Sequence, residues 1–506
     1  MKSSTLTRII ALIFAIIMVL SVVACTNDPD KNKETEKPTE AVTDPEGTKD
    51  PSDSGSESVE ETYIPTTTYE EGTTVTFLFP DTATAHKYTI TNDIWVEKMT
   101  GDVLSDAVWR RNEVLRTTTG ITVAYEMGNT SPLEQLKLDQ ASGDYVYEVF
   151  GPSYNNVATF FNSQLLADIN TMNFDMSYSW FDDSCAEVFT IKGKQFAMSS
   201  TITYIDKVSC PAIMFNTTLV EDNQFGDLYQ MVIDKTWTWD EMLRMAEVVT
   251  SGNEDDGEYT MEDFYGISSQ NDFSYYMLHS TGLTSLVKNP KGEFVYNGTN
   301  ETLVDCLEDI FTLMSNPNLF LNRQGTVGTQ DIPAIHEHFA AGKALFLVRP
   351  VESLFGLRSL TEEVGVIPMP LYYKGQEEYY SATNTYVASA TCFPSYIQEQ
   401  QKVVDAIQVL AMNSSKIVMP ALYEICLGSR LVNDKNASAM LDIIFLNKVY
   451  DFGFIFNLGG IRSHIVLNND AIKRAAANIS TTLASLDRSM QQNISIFMTK
   501  VDNYNK

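Results

Sequence analysis

The sequence predicts an α/β protein, with mostly parallel sheets covered by helices on both faces. Two observations carry this. From residue 74 to residue 151, strand-like and helix-like segments alternate, the cadence of βαβ units. After a polar N-terminal region, about 430 of the 506 residues remain. They are rich in Phe, Tyr, Leu, Ile and Val, enough for two or three domains with their own cores.

TVTFLFP (74–80) reads as a first strand ending at Pro80-Asp81, AVWRRNEVLRTTTG (107–120) as a helix stopped by Gly120, and ITVAYE (121–126) as the next strand. SPLEQLKLDQASG (131–143) predicts a helix ending at Gly143, and YVYEVFG (145–151) a strand. In KTWTWDEMLRMAEVVTSG (235–252), Thr238 and Glu241 form a capping box, with Trp237 and Met242 as a hydrophobic staple. Met242, Leu243, Ala246 and Val249 then make a helical apolar stripe. AIHEHFAAGKALFLVRP (334–350) predicts a helix ending at Gly342 and a buried strand ALFLV that leads into Arg349. EVGVIPMPLYY (363–373) gives a short strand, and TNTYVASATCFPS (383–395) leads into a helix over 397–412.

The N-terminus carries an address. An apolar run at 9–24 follows Lys2 and Arg8 and falls short of the roughly 20 residues that span a bilayer core. A basic start, a short apolar stretch and small residues before a cut site describe an export signal over residues 1–24. Val22-Val23-Ala24-Cys25 resembles the bacterial lipobox, which implies a diacylglyceryl group on Cys25 and a stable two-chain membrane anchor. An ordinary secretory signal with an incidental Cys is the alternative. Between Thr26 and Thr62, twelve acidic residues face four lysines and large apolar residues are scarce. Such a segment cannot offset its ordering entropy, so 25–72 reads as an extended tether.

A formal charge of −31 argues against nucleic-acid partners and tells against polyanionic ligands. If Cys25 is acylated, Cys185, Cys210, Cys306, Cys392 and Cys426 remain, widely spaced and without a CxxC pair, and read as small buried hydrophobes. His336 and His338 lie two apart on a helix, on different faces, and no third ligand is evident, so no metal or other cofactor is expected. No nucleophile elbow, phosphate loop or zinc-protease motif occurs. Carboxylates are plentiful, but nothing positions a glycosidase pair. The chain has 24 tyrosines. Tyr275-Tyr276, Tyr372-Tyr373 and Tyr379-Tyr380 stand beside amides and carboxylates, a mixture that suits sugar rings and equally suits a core.

Taken in order, the lipobox with its spacer, GDYVYEVFGPSYNNVATFFNSQLLADIN (143–170), AIMFNTTLVED with KTWTWDEM, HFAAGKALF with EVGVIPMPLY, and YYSATNTYVASA make the chain similar to extracellular solute-binding lipoproteins of ABC importers. The likeness is to the sugar-binding type that includes maltodextrin-binding proteins, and the C-terminal region resembles a clostridial-type subset. This resemblance implies a two-lobed, periplasmic-binding-protein-like (Venus flytrap) fold with crossings near 208–215 and 381–389. Lobe one would comprise 72–209 plus 390–440, and lobe two 210–384 plus 441–506, with the C-terminal helices packed across lobe two. It also implies a monomeric, non-enzymatic receptor on the outer face of a Gram-positive-type cell membrane. Such a receptor delivers a solute, a carbohydrate by this likeness, to permease subunits by hinge closure.

Ligands of open α/β sheets sit beyond the carboxyl ends of strands. The candidates are therefore Asp81, Tyr154, Asn155, Arg349 and Glu352. Asp206 and Asn384 join them from the crossings, Trp95 and Asp106 from an insertion after the first strand, and Tyr275 and Tyr276 from the tyrosine pairs. Arg-Pro-Val-Glu after ALFLV stands where the family often has Trp, which tells against a long maltodextrin and leaves a different oligosaccharide or a smaller polar solute equally open. A surface-anchored glycoside hydrolase and a peptide-binding lipoprotein are the alternatives.

Overall fold

The computed structural model describes residues 61–80, 93–128, 132–250, 259–322, 332–357, 361, 364–431 and 435–504; the apolar segment, Cys25, most of the spacer and Asp81 lie outside these. In the first lobe, strands β1 (Thr73–Pro80), β2 (Ile121–Gly128) and β3 (Val149–Phe150) pair in parallel in the order β2-β1-β3. Helix α1 (Val103–Thr119) connects the first two and α2 (Pro132–Ser142) the second and third. The start of α1 lies ahead of the expected Ala107 because Asp102 caps it, accepting from the Ser105 amide at 2.8 Å. Gly120, at φ 85°, ends it in the left-handed conformation that glycine adopts without strain. The strand expected over 145–151 shrinks to Val149–Phe150, since the Asp139 carboxylate takes the amides of Val146 at 2.8 Å and Tyr147 at 3.3 Å.

After α3 (Tyr154–Asn162) and the short α4 (Ile205–Val208), the chain enters the second lobe through β4 (Pro211–Asn216). There follow α5 (Trp239–Thr250), β5 (Tyr265–Ser269), α6 (Phe273–Ser280), α7 (Glu301–Met314), β6 (Phe320–Asn322), α8 (Ile332–Ala340), β7 (Ala344–Pro350) and β8 (Val364–Ile367). The sheet order is β6-β5-β7-β4-β8, with β5 parallel to both neighbours and β4 antiparallel to both of its own. Every residue of β4, β5, β7 and β8 is buried, as expected of strands covered on both faces.

The return runs through β9 (Ser381–Ala382) into an extended segment at 389–394. Phe150 and Cys392 exchange backbone hydrogen bonds at 2.9 Å, so this segment lies antiparallel beside β3. Met198 pairs antiparallel with Thr391 on its other side. Both lobes thus share one plan: three parallel strands, then an antiparallel strand supplied by the chain that has just crossed from the other lobe. Helix α9 (Gln400–Asn413) covers the first sheet, α10 (Lys435–Leu446) packs on β8, and β10 (Lys448–Val449) pairs with β9. The last helix, α11 (Ile479–Asp502), packs on α7, and its far end also reaches lobe one. There Phe161 meets Phe497 at 4.9 Å and Tyr504 at 4.8 Å, and the Leu166 amide donates to the Tyr504 hydroxyl at 2.9 Å.

Local signals from the sequence survive in modified form. Thr238 accepts from the Glu241 amide at 3.3 Å, but the Glu241 carboxylate turns to Arg244, so only half of the capping box forms. Trp237 is fully buried, donating to the Pro368 carbonyl at 3.0 Å. Tyr63, Thr66 and Tyr69, within the stretch read as tether, all donate hydroxyl hydrogen bonds to Asp405 of α9, which fastens the last part of that stretch to lobe one. All five cysteines of the folded body are buried, and none of them is in a disulfide.

The strand β5 lies close under α5: a Cβ at Gly266 would stand 2.4 Å from the Ala246 Cβ. Gly266→Ala should therefore push α5 off the sheet and cost about 1–3 kcal/mol, read as a shifted urea midpoint. An unchanged midpoint would show that the helix yields freely.

Candidate functional site

The carboxyl ends of β5 and β7 lie side by side, and the residues that leave them converge. Arg349 and Gln270 are 5% and 1% exposed, and the Arg349 Nη1 group donates to the Gln270 side-chain oxygen. The Arg349 Nε and Gln270 Nε2 donors are buried with no partner among the described residues. Glu352 follows at the same edge, and its amide donates to the Val208 carbonyl at 2.9 Å, which sets this edge against the first crossing.

From the next element, the Tyr276 hydroxyl accepts from the Asn384 side-chain amide at 3.0 Å. Burial above all, then the field of Asp272, pushes the Tyr276 phenol well above its ordinary value, with Arg349 opposing and Glu352 adding to the rise. That hydroxyl is therefore a neutral hydrogen-bonding group. Tyr275 beside it is a bracing residue: its hydroxyl donates to the Thr383 carbonyl at 3.0 Å, and its ring packs on Phe454 at 4.3 Å. Lobe one closes on the same crossing. The Asn155 amide donates to Thr385 O at 2.9 Å and the Tyr154 amide to Ala388 O at 3.1 Å. The Asn155 Oδ1, Thr383 Oγ1 and Thr385 Oγ1 atoms are buried without a partner among the described residues. Such unmatched buried groups are costly and mark places where a ligand or water completes the bonding.

The sequence candidates thus divide. Arg349, Glu352, Tyr276, Asn384 and Asn155 come together around the return crossing. Tyr154 does not offer its ring to a cleft: it is fully buried between Phe189 at 5.6 Å and Tyr450 at 5.3 Å, with its hydroxyl 3.6 Å from Cys185 Sγ. Asp106 closes the loop before α1, accepting from the Thr100 and Gly101 amides at 2.7 and 3.2 Å. Trp95 is 39% exposed and stacks on Tyr125 at 6.4 Å with 5° between the rings, an aromatic platform on lobe one. Asp81 lies outside the described residues.

Asp206 belongs to the hinge. The Lys448 ammonium stands 2.5 Å from Asp206 Oδ2 and 2.5 Å from Asp182 Oδ2, with Ser199 donating to Asp206 at 2.7 Å and Lys207 at 3.7 Å from it. Asp206 is on α4, Lys448 on β10 beside the return crossing, and Asp182 caps a helix of lobe one. Two lysines and two aspartates, almost wholly buried, hold the connecting segments together. Burial works to raise the Asp182 carboxyl, but Lys448 and then Lys207 outweigh it and bring the value down to about 2 from 3.8. A depressed carboxyl stabilises the fold above its unfolded value and loses that contribution as pH falls through the folded one. Stability should therefore drop between about pH 4 and pH 2, and Asp182→Asn should flatten that limb of the stability profile. An unaltered limb would assign acid sensitivity elsewhere.

Sequence reasoning missed Gln270, because Tyr265–Ser269 reads YGISS, too poor in β-branched and large apolar residues to be recognised as a strand. It missed Lys448, which stands alone between a helix and an aromatic run. Among the described residues no three His, Cys, Asp or Glu side chains gather as a metal set would.

Two lobes with one sheet plan, joined by paired crossing segments and lined there with unmatched polar atoms, make a two-lobed α/β fold. No family model matches the chain, and no curated protein matches it in sequence. Among solved structures, it is similar to a cyclo/maltodextrin-binding protein complexed with maltotetraose, at 14% identity and a TM-score of 0.51, covering 87% of this chain and 100% of that one. It also matches an ABC substrate-binding protein from Listeria monocytogenes in complex with cycloalternan, at 11% identity, TM-score 0.47, 86% of this chain and 100% of the other. A third is the GacH receptor of Streptomyces glaucescens GLA.O, solved unliganded and with acarbose, at 14% identity, TM-score 0.48, 86% of this chain and 100% of the other. The first of these shares the two-lobed fold.

Proposed function

We propose that the protein is a carbohydrate-binding receptor that captures its ligand between the two lobes and passes it to the permease of an ABC importer. The observation that carries this reading is the meeting of Arg349, Gln270, Tyr276 and Asn384 from lobe two with Asn155 from lobe one, where buried donors and acceptors await partners. The maltotetraose held by the protein of shared fold supports a sugar as the class of ligand. Contacts to both lobes favour the closed state only to the extent that the ligand binds it better than the open one. The reading is of a binder that acts as a monomer. Cys25 anchors it by lipid to the outer face of the membrane, and the acidic segment gives it reach.

A thermal-shift screen of the protein against a glycan library tests this reading: a shift with at least one oligosaccharide, which is recovered unchanged after long incubation, is expected. No shift with any glycan, or a cleaved product, would remove it. Cys25→Ala should move the protein from the membrane to the soluble fraction and leave the ligand-induced shift intact.

A further inference from the structure

The side chain at the centre of this site is a buried cation that forms no ion pair with a carboxylate of the described residues. Arg349 is 5% exposed, and among the described residues its only hydrogen-bond partner is the neutral amide oxygen of Gln270, held by Nη1. Its Nε–H is buried and unpartnered, as is the Gln270 Nε2 amide, and no carboxylate of the described residues pairs with it. A buried guanidinium left this way is strongly unfavourable. With Nη1 occupied, the edge that remains is the one formed by Nε and Nη2. That edge presents two parallel N–H groups, the fork that matches a carboxylate bidentately. Gln270 Nε2 adds a third donor beside it, and the site sits at paired strand ends where ligands of such sheets bind.

We infer that the ligand is an oligosaccharide carrying a single carboxylate, of the uronic or sialic acid kind, which the Arg349 Nε/Nη2 edge and the Gln270 amide grip together. The inference rests on the carbohydrate reading and narrows it. A single carboxylate fits better than a phosphate or a chain of acids. Glu352 and Asp272 stand close enough for their fields to reach Tyr276, and they oppose further negative charge. The net charge of −31 works in the same direction, though over distances that salt screens within about 10 Å.

Calorimetric titration of the whole protein with aldotriouronic acid and 3′-sialyllactose, each against its carboxyl-reduced counterpart, tests this. At least one acid should bind, with its reduced form about 100-fold weaker or worse. Arg349→Met should abolish that difference. Gln270→Glu places a carboxylate on the same guanidinium; the variant should fold, melt no lower than the parent, and reject the acid. Should Arg349→Met fail to fold, Gln270→Glu alone decides. If neutral oligosaccharides bind and the acids do not, or if both variants keep the preference for the acid, this inference falls while the carbohydrate reading stands. If no glycan of either class binds, both fall.

Discussion

Replacing Lys448 with Met is expected to destabilise the protein by roughly 3–5 kcal/mol, the range measured when one partner is removed from a buried ion pair. The size follows from what is left behind. Asp206 is fully buried and would keep the Ser199 hydroxyl at 2.7 Å and one cation, Lys207 at 3.7 Å, while Asp182 would lose its 2.5 Å partner and keep the Tyr450 hydroxyl and the Cys185 amide, each at 3.0 Å. The methionine stem matches the lysine in bulk, so the loss reports charge and not a cavity. Urea unfolding at neutral pH measures it. The loss should shrink when Asp206→Asn is added, because the stranded charge then disappears; the difference is the coupling energy of a double-mutant cycle. A loss below about 1 kcal/mol, typical of exposed pairs, would mean that water reaches the cluster and that it does not hold the crossings.

Phe161→Ala should cost about 3–5 kcal/mol, as for other buried phenylalanines. The ring is 1% exposed and touches Phe196 at 5.2 Å, Phe497 at 4.9 Å and Tyr504 at 4.8 Å. It therefore joins α3 of lobe one to the end of α11, whose other half is seated on lobe two through contacts such as the Tyr296 hydroxyl donating to Leu483 O at 3.0 Å. Hydrogen exchange should find the amides at 497–504 deprotected in the variant while those of β5 and β7 stay protected. Tyr504→Phe, which leaves the rings in place and removes the acceptor of the Leu166 amide, should cost only about 1–3 kcal/mol. Equal losses from the two variants would mean that the hydrogen bond, and not the aromatic packing, fastens the helix.

Much of the fold is legible in the sequence because its signals are local. Gly120 ends α1 through its own backbone freedom, Thr238 starts α5 through one hydrogen bond three residues away, and ALFLV can only be a strand buried on both faces. Where local signals are weak, reading fails. YGISS forms an inner strand of the second lobe's sheet because a glycine admits α5 and its neighbours β6 and β7 supply the ladder, neither of which the segment itself reveals. Tyr63 and Tyr69 lie in an acidic, Thr-rich stretch whose composition speaks for disorder, yet their hydroxyls find Asp405 more than three hundred residues on.

The candidate site divides along the same line. By itself, the sequence determined the α/β alternation, the class of two-lobed fold through the order of its motifs, and the position of Arg349 at the carboxyl end of a buried strand, because each depends on residues adjacent along the chain. It could not tell Arg349 from Asp206, two charged residues beside predicted strand ends or crossings. Only the tertiary structure decided that Asp206 is neutralised by Lys448 while Arg349 forms no ion pair with a carboxylate of the described residues. The physical reason is that the role of a buried charge is set by its counter-charge, and folding draws that counter-charge from anywhere in the chain.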